Sequence, residues 1–203
     1  MLLISACSQK TGFDSSYYCE KLEFSCTRNN QIVSFKTSKG NFNVELYGAD
    51  NPITVSNFIE NIKKGIYKNQ KFYKIINYPQ VKVIHAGINP ESKYYAEKNQ
   101  IFNKISPSIP LEIKFKKEIE PKYKYQIKDL SESSELINYF ENGSIAMVKR
   151  GERNSSSTEF FFVTNNIQEL DGRYSVFGKI VKGIDVLKRI DREDFIYEIN
   201  ISN

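Results

Sequence analysis

The chain has 203 residues, 40% of them apolar and 13% aromatic, which is enough for one well-buried core and too few for two comfortable domains with linkers. Twenty-nine Lys and Arg against twenty-four Asp and Glu leave a formal charge of +5; so mild an excess, spread along the chain rather than clustered, does not point to nucleic acid. No apolar run reaches the roughly 18 residues of a spanning helix, and the single histidine offers no metal constellation.

Met1-Leu-Leu-Ile-Ser-Ala-Cys7 is a short apolar run closed by a small residue and a cysteine, with polar Ser8-Gln9-Lys10 behind it. It resembles the end of a bacterial lipoprotein signal, which implies that Cys7 carries lipid and that the protein is membrane-anchored, facing the periplasm or the cell exterior. A basic n-region is missing and the apolar run is short for an h-region. The alternatives are a start upstream of Met1, or an accidental match in a cytoplasmic protein with a buried apolar terminus. If Cys7 is taken by lipid, Cys19 and Cys26 are an even remainder in an oxidising compartment and are expected to pair. Such a loop contributes about 2 to 3 kcal/mol. In the cytoplasmic alternative they are free buried thiols. Residues 1–30 are read as this tail and 31–203 as the folded domain.

Gln31–Thr37 and Asn41–Tyr47 alternate apolar and polar residues around the turn Ser38-Lys-Gly40, a hairpin with one buried face. Asn51-Pro52 opens a helix in which Val55, Phe58, Ile59 and Ile62 recur at helical spacing until Gly65. Phe72–Ile76 and Val81–Gly87 read as strands, residues 88–109 as a loop, and Pro110–Phe115 as a short extended piece. Lys116–Lys128 is charged and irregular, a solvated stretch. Leu130–Asn142 is predicted to be a short helix stopped by Gly143. Ser144–Val148, Glu159–Val163 and Tyr174–Val181 are predicted strands, and Ser155-Ser156-Ser157, without a base nearby, a loop. A helix around Ile184, Val186, Leu187 and Ile190 precedes a closing strand, Phe195–Ile201. This order predicts a mainly β fold, a closed antiparallel barrel capped by two α-helices.

From Ile32 to Ile201 the chain resembles the cyclophilin-type peptidyl-prolyl isomerases. Asn57-Phe58 matches the Asn-Phe of that family's first helix, Phe72-Tyr-Lys-Ile-Ile76 stands where it has Phe-His-Arg-Ile-Ile, and Ile84-His-Ala-Gly87 where it has Gln-Gly-Gly after a hydrophobe. Pro110-Leu-Glu112 is similar to the bacterial branch, and Gly143–Met147 to its Gly-x-x-x-Met strand. Thr158-Glu-Phe-Phe161 matches Ser-Gln-Phe-Phe, and Leu170-Asp-Gly172 with Val176-Phe-Gly178 completes the series.

The resemblance implies rotation about X-Pro amides in proline-containing peptides or unfolded segments of exported proteins, by a monomer without metal or cofactor. It places the catalytic arginine at Lys74, the pocket aromatic at Phe161, a pocket wall at Leu170 and a neighbouring methionine at Met147. The pocket phenylalanine falls at Val81 or Lys82. Histidine replaces glutamine at His85, glutamate replaces glutamine at Glu159 and the aromatic at Glu169, and Tyr174 stands for a histidine. On a strand pattern His85 reads first as a satisfied, partly buried residue and only second as a ligand or base. Phe161 in the pocket turns Phe160 and Phe162 to the other face. Because lysine lacks the planar fork of arginine, the alternative is a weak or inactive cyclophilin-like peptide-binding module.

Overall fold

Alternating apolar side chains build the first hairpin. A computed structural model of the chain describes residues 14–88 and 108–202. In it Gln31–Thr37 (β1) and Gly40–Leu46 (β2) pair from Gln31 opposite Leu46 to Thr37 opposite Gly40. Val33, Phe35, Phe42, Val44 and Leu46 all turn to one side and are buried.

The helix α2 (Pro52–Lys63) follows, after a shorter α1 (Ser15–Lys21) in the tail. Pro52 sits where a missing N–H is harmless. Asn51 gives α2 no side-chain cap; instead the carboxylate of Glu112 accepts from the backbone N–H groups of Ile53 at 3.0 Å and Thr54 at 2.7 Å. An anion at a helix N-terminus satisfies otherwise unpaired donors and complements the helix dipole.

The remaining strands are β3 (Gln70–Lys71), β4 (Lys74–Asn77), β5 (Lys82–Gly87), β6 (Ser108–Pro110), β7 (Glu112–Ile113), β8 (Lys122–Tyr123), β9 (Ser144–Lys149), β10 (Asn154–Val163), β11 (Val176–Lys182) and β12 (Phe195–Ile201), with helix α3 (Ile184–Arg189) before the last. The main sheet runs β3-β12-β1-β2-β11-β9-β10-β5-β4, with β6 added to the start of β10. Its two outermost strands, β3 and β4, are separated in the chain by only Phe72 and Tyr73. The sheet therefore curls into a barrel whose edge strands are brought together by this two-residue link, with no β3–β4 ladder among the described residues.

Aromatic rings fill the interior. Phe35 stacks on Phe42 at 4.7 Å between ring centres and meets Phe162 edge-on at 5.6 Å. From α2, Phe58 meets Phe160 edge-on at 5.3 Å, while Val186 and Leu187 of α3 join the same core. Offset and edge-to-face pairs of this kind add to the stabilisation from burial alone. The two helices thus cover the barrel as the element order predicts. Asn57 and Asn61 donate from Nδ2 to the carbonyl oxygen of Ser157 at 2.6 and 2.7 Å, which locks α2 against β10.

Several boundaries differ from expectation. Leu130–Asn142 is not an α-helix. Only Leu130–Glu135 coils, as a 3-10 helix capped by Asp129, with Glu132 bonding back to the Asp129 N–H. Leu136 is then extended, buried, and bridged to Phe115. Serines at 131, 133 and 134 favour caps and turns over helix interior, and burial of Leu136 and Phe140 pulls the chain straight. The expected Ser155–Ser157 loop is the start of β10, buried because its polar groups are met: Ser155 Oγ lies 3.3 Å from Ser175 Oγ, and Ser157 holds the two asparagines. Ser108–Pro110 and Glu112–Ile113 form two short strands, and Lys122-Tyr123 pairs with the latter, so 116–128 is not all solvated loop. Phe72 and Tyr73 lie between strands, and Tyr174 precedes β11.

The tail packs on the barrel. Cys19 and Cys26 are joined by a disulfide with Cα atoms 5.7 Å apart, and Tyr18 and Cys19 cluster with Ile53 and Ile109. Cys7 and most of the expected 88–109 loop lie outside the described residues.

Glu112 is 1% exposed, and burial pushes its pKa up from 4.5 to about 7 against the lowering effect of the Thr54 and Ile53 bonds. A carboxyl raised on folding stabilises fully below its unfolded pKa and loses that contribution as pH rises through the folded one. Denaturation at pH 5 and pH 8 is expected to show wild type losing about 3 kcal/mol relative to Glu112→Gln over this span.

Candidate active site

Hydrogen-bonded register brings one row of side chains together outside the barrel. Lys74 on β4 faces His85 on β5, His85 faces Phe161 on β10, Phe161 faces Ala146 on β9, and Ala146 faces Val176 on β11. Residues directly opposite across antiparallel strands share a face. The neighbouring row, Ile75, Ile84, Phe162 and Ile145, therefore turns inward.

Over the outer row lies a groove of about 720 Å³, with Lys74, Val83, His85, Phe161, Leu170 and Tyr174 in its lining. Phe161 forms the floor. It stacks between His85 at 5.4 Å and Phe140 at 5.7 Å, with Tyr174 edge-on at 5.2 Å. Ile76, Val81, Val148 and Ile167 make the walls apolar, and Glu169 and Lys149 stand at the rim. β5 reaches β10 closely beside the groove because Gly87 has φ 96°; a Cβ there would lie 2.2 Å from the carbonyl oxygen of Thr158.

One pleat along from Phe161 is a polar network. Glu159, 6% exposed, accepts from Tyr73 Oη at 2.9 Å and Ser156 Oγ at 3.2 Å, and pairs with Arg150 at 3.4 Å. Its carboxylate is thus engaged under neighbouring side chains, and Glu159 is absent from the groove lining among the described residues.

The histidine is half-buried. Burial first, and then the charge of Lys74, lower the His85 pKa to about 4, so the ring is neutral at pH 7 and presents a flat, weakly polar face beside Phe161.

Of the residues proposed from sequence, Lys74, His85, Phe161, Leu170 and Tyr174 meet at the groove. Met147 does not. It is fully buried in the barrel core opposite Phe160, because strand alternation sends its neighbours Ala146 and Val148 outward instead. Between the two candidates for the pocket phenylalanine, Val81 lines the groove, whereas the ammonium of Lys82 reaches the carbonyls of Lys188 and Ile190. Ile76, Val83, Val148 and Lys149 were not singled out. Counting in twos from Lys74, His85 and Ala146 finds the first three; Lys149, at the end of its strand, follows from no periodicity.

Comparison with known proteins agrees with this geometry. The family described as "Cyclophilin type peptidyl-prolyl cis-trans isomerase/CLD" matches residues 32–201. The chain belongs to this family. A curated peptidyl-prolyl cis-trans isomerase of Acinetobacter baylyi is 27% identical over 166 residues, covering 79% of this chain and 72% of the relative. Peptidyl-prolyl cis-trans isomerase-like 1 of Aspergillus niger is 30% identical over 161 residues, covering 78% and 80%. Among solved structures, a cyclophilin type isomerase of Cryptosporidium parvum superposes with TM-score 0.59 at 22% identity, covering 86% of this chain and 99% of that one. A second crystal structure of that protein, obtained in the presence of the dipeptide Ala-Pro, gives TM-score 0.57 at 22% identity, covering 85% and 99%. The cyclophilin fold is thus shared across the whole barrel.

His85 is the chain's only histidine, so its ring protons can be followed singly by NMR. A titration midpoint at about pH 4 is expected, moving upward in Lys74→Gln once the ammonium beside it is removed.

Proposed function

We propose that this cyclophilin catalyses cis-trans isomerisation of X-Pro bonds in peptide and unfolded-protein substrates. The observation that carries the reading is the row Lys74, His85, Phe161, which sets a cation at one end of an apolar floor. The Cryptosporidium parvum relative was crystallised in the presence of Ala-Pro, which supports the same class of ligand here.

Rotation about an X-Pro amide meets a barrier of about 18 to 20 kcal/mol because the nitrogen lone pair is conjugated with the carbonyl. In the twisted state that lone pair is released and accepts a hydrogen bond. An ammonium aimed at the proline nitrogen therefore stabilises the transition state more than either planar isomer, which is the condition for catalysis. Phe161, Leu170 and Tyr174 hold the proline ring while the acyl side turns, and Lys74, exposed at the edge of the groove, supplies the donor. Neutral His85 adds surface without a competing charge. Lysine is a point charge that can serve the nitrogen but lacks the second arm that would clamp the substrate carbonyl. This favours a slower enzyme; the second reading, a binding module without catalysis, rests on that same residue.

The lipobox-like Ile4-Ser5-Ala6-Cys7 and the Cys19–Cys26 bond support an exported, lipid-anchored protein, since disulfides persist in oxidising compartments. Its clients are then other exported chains.

A protease-coupled assay on a proline peptide is expected to show catalysis that falls about tenfold in Lys74→Ala, equivalent to about 1.4 kcal/mol of barrier, while Phe161→Ala chiefly weakens substrate binding. A rate unchanged by removal of Lys74 would sink the mechanism. For the anchor, cells given radioactive fatty acid are expected to label the wild type and not Cys7→Ser; an unlabelled wild type would sink the lipid anchor.

A further inference from the structure

The groove is charged unevenly. Some lysines elsewhere on the surface face carboxylates, as Lys71 faces Glu193 at 2.6 Å, Lys179 faces Glu141 at 2.7 Å and Lys63 faces Glu60 at 2.8 Å. Lys74 and Lys149 line the groove and have no carboxylate partner among the described residues. They lie on opposite sides of the strand that carries Phe161, Lys74 on β4 beyond β5 and Lys149 on the adjoining β9. The ammonium of Lys149 is held by the side-chain oxygen of Gln126, a neutral partner that fixes its position and leaves its charge uncompensated. Glu159, two residues before Phe161 on the same strand, is occupied by Tyr73, Ser156 and Arg150. Among the described residues the one carboxylate in the lining is Glu169, in the 3-10 turn Gln168–Leu170. His85 adds no charge at pH 7. The lining therefore carries two cations against one anion, around an apolar floor.

We infer that this groove selects proline segments flanked by carboxylate side chains, and that Lys149 is the residue that sets this preference. The inference rests on the isomerase reading of the same groove. A chain laid across β10 with its proline on Phe161 meets a lysine to either side. An aspartate or glutamate next to the proline offers the Lys149 ammonium the carboxylate it lacks while Lys74 serves the proline nitrogen, whereas a lysine or arginine there meets like charge. Complementary charge of this kind raises the encounter rate and excludes wrong partners, and each exposed pair is worth only a few-fold in affinity.

The test uses the full chain and three peptides that differ only in the residues on either side of a central proline: glutamate, alanine or lysine. Turnover is read by NMR exchange between the cis and trans resonances and affinity by titration, at low and high salt. At low salt the glutamate peptide is expected to bind about fivefold more tightly than the alanine peptide, and the lysine peptide more weakly than either. The order should flatten at high salt, reverse between glutamate and lysine peptides in Lys149→Glu, and sharpen in Glu169→Gln. Equal affinity for all three peptides, or an order that survives Lys149→Glu, overturns the inference. Charge-ordered binding without turnover of any peptide would support the selection and sink the isomerase reading; turnover with a flat order would do the reverse.

Discussion

A β-strand sends successive side chains to opposite faces, and at Phe160, Phe161 and Phe162 that pleat divides the molecule in two. Phe160 and Phe162 enter the barrel, where they meet Phe35, Phe58 and one another. Phe161 leaves it and becomes the floor of the groove. Slipping this strand by one residue would put two rings into solvent and one into a core built for two. Core and groove are therefore held in register by the same packing, and β10 is tied on both sides, to β9 and β5.

Polar groups buried away from the groove make the pleat rigid. The carbonyl of Ser157, just before the aromatic run, receives two asparagine amides from α2, and α2 in turn begins on the carboxylate of Glu112. The N–H of Glu112 donates to Ser175 Oγ at 2.8 Å, beside Tyr174 on the groove wall. A buried polar network specifies a unique arrangement when every member is satisfied. Here it links the helix that plugs the barrel, the strand that carries the floor and the loop that carries the wall.

The electrostatics of the groove follow from the same layout. Placing Lys74 directly across from His85 on adjacent strands joins an ammonium to a ring that burial already keeps neutral. Of this pair only the lysine offers a substrate charge. Glu159, which the sequence suggests as a negative neighbour of the pocket, is instead consumed by Tyr73 and Arg150, leaving Glu169 as the acid at the rim.

Much of the fold was legible in the chain. The alternation in Gln31–Leu46, the helical spacing from Pro52, and the series of short motifs from Phe72 to Gly178 determined a capped antiparallel barrel and most of the groove, because period-two burial and turn residues are local properties. The helix expected over Leu130–Asn142 failed for a non-local reason, since Leu136 and Phe140 are buried against distant segments, Phe115 and Phe161. Ser155–Ser157 looked like a loop because polar residues are costly to bury, and Ser175, Glu159 and the asparagines of α2 supply the partners that make the strand tolerable. Met147 was misplaced by a single step of the pleat. The sequence by itself determined which residue types could hold a proline ring and offer it a cation. Tertiary structure alone decided which of them share a face, which carboxylate is already spent, and which lysines line the groove without a carboxylate partner among the described residues, because those depend on register between strands far apart in the chain.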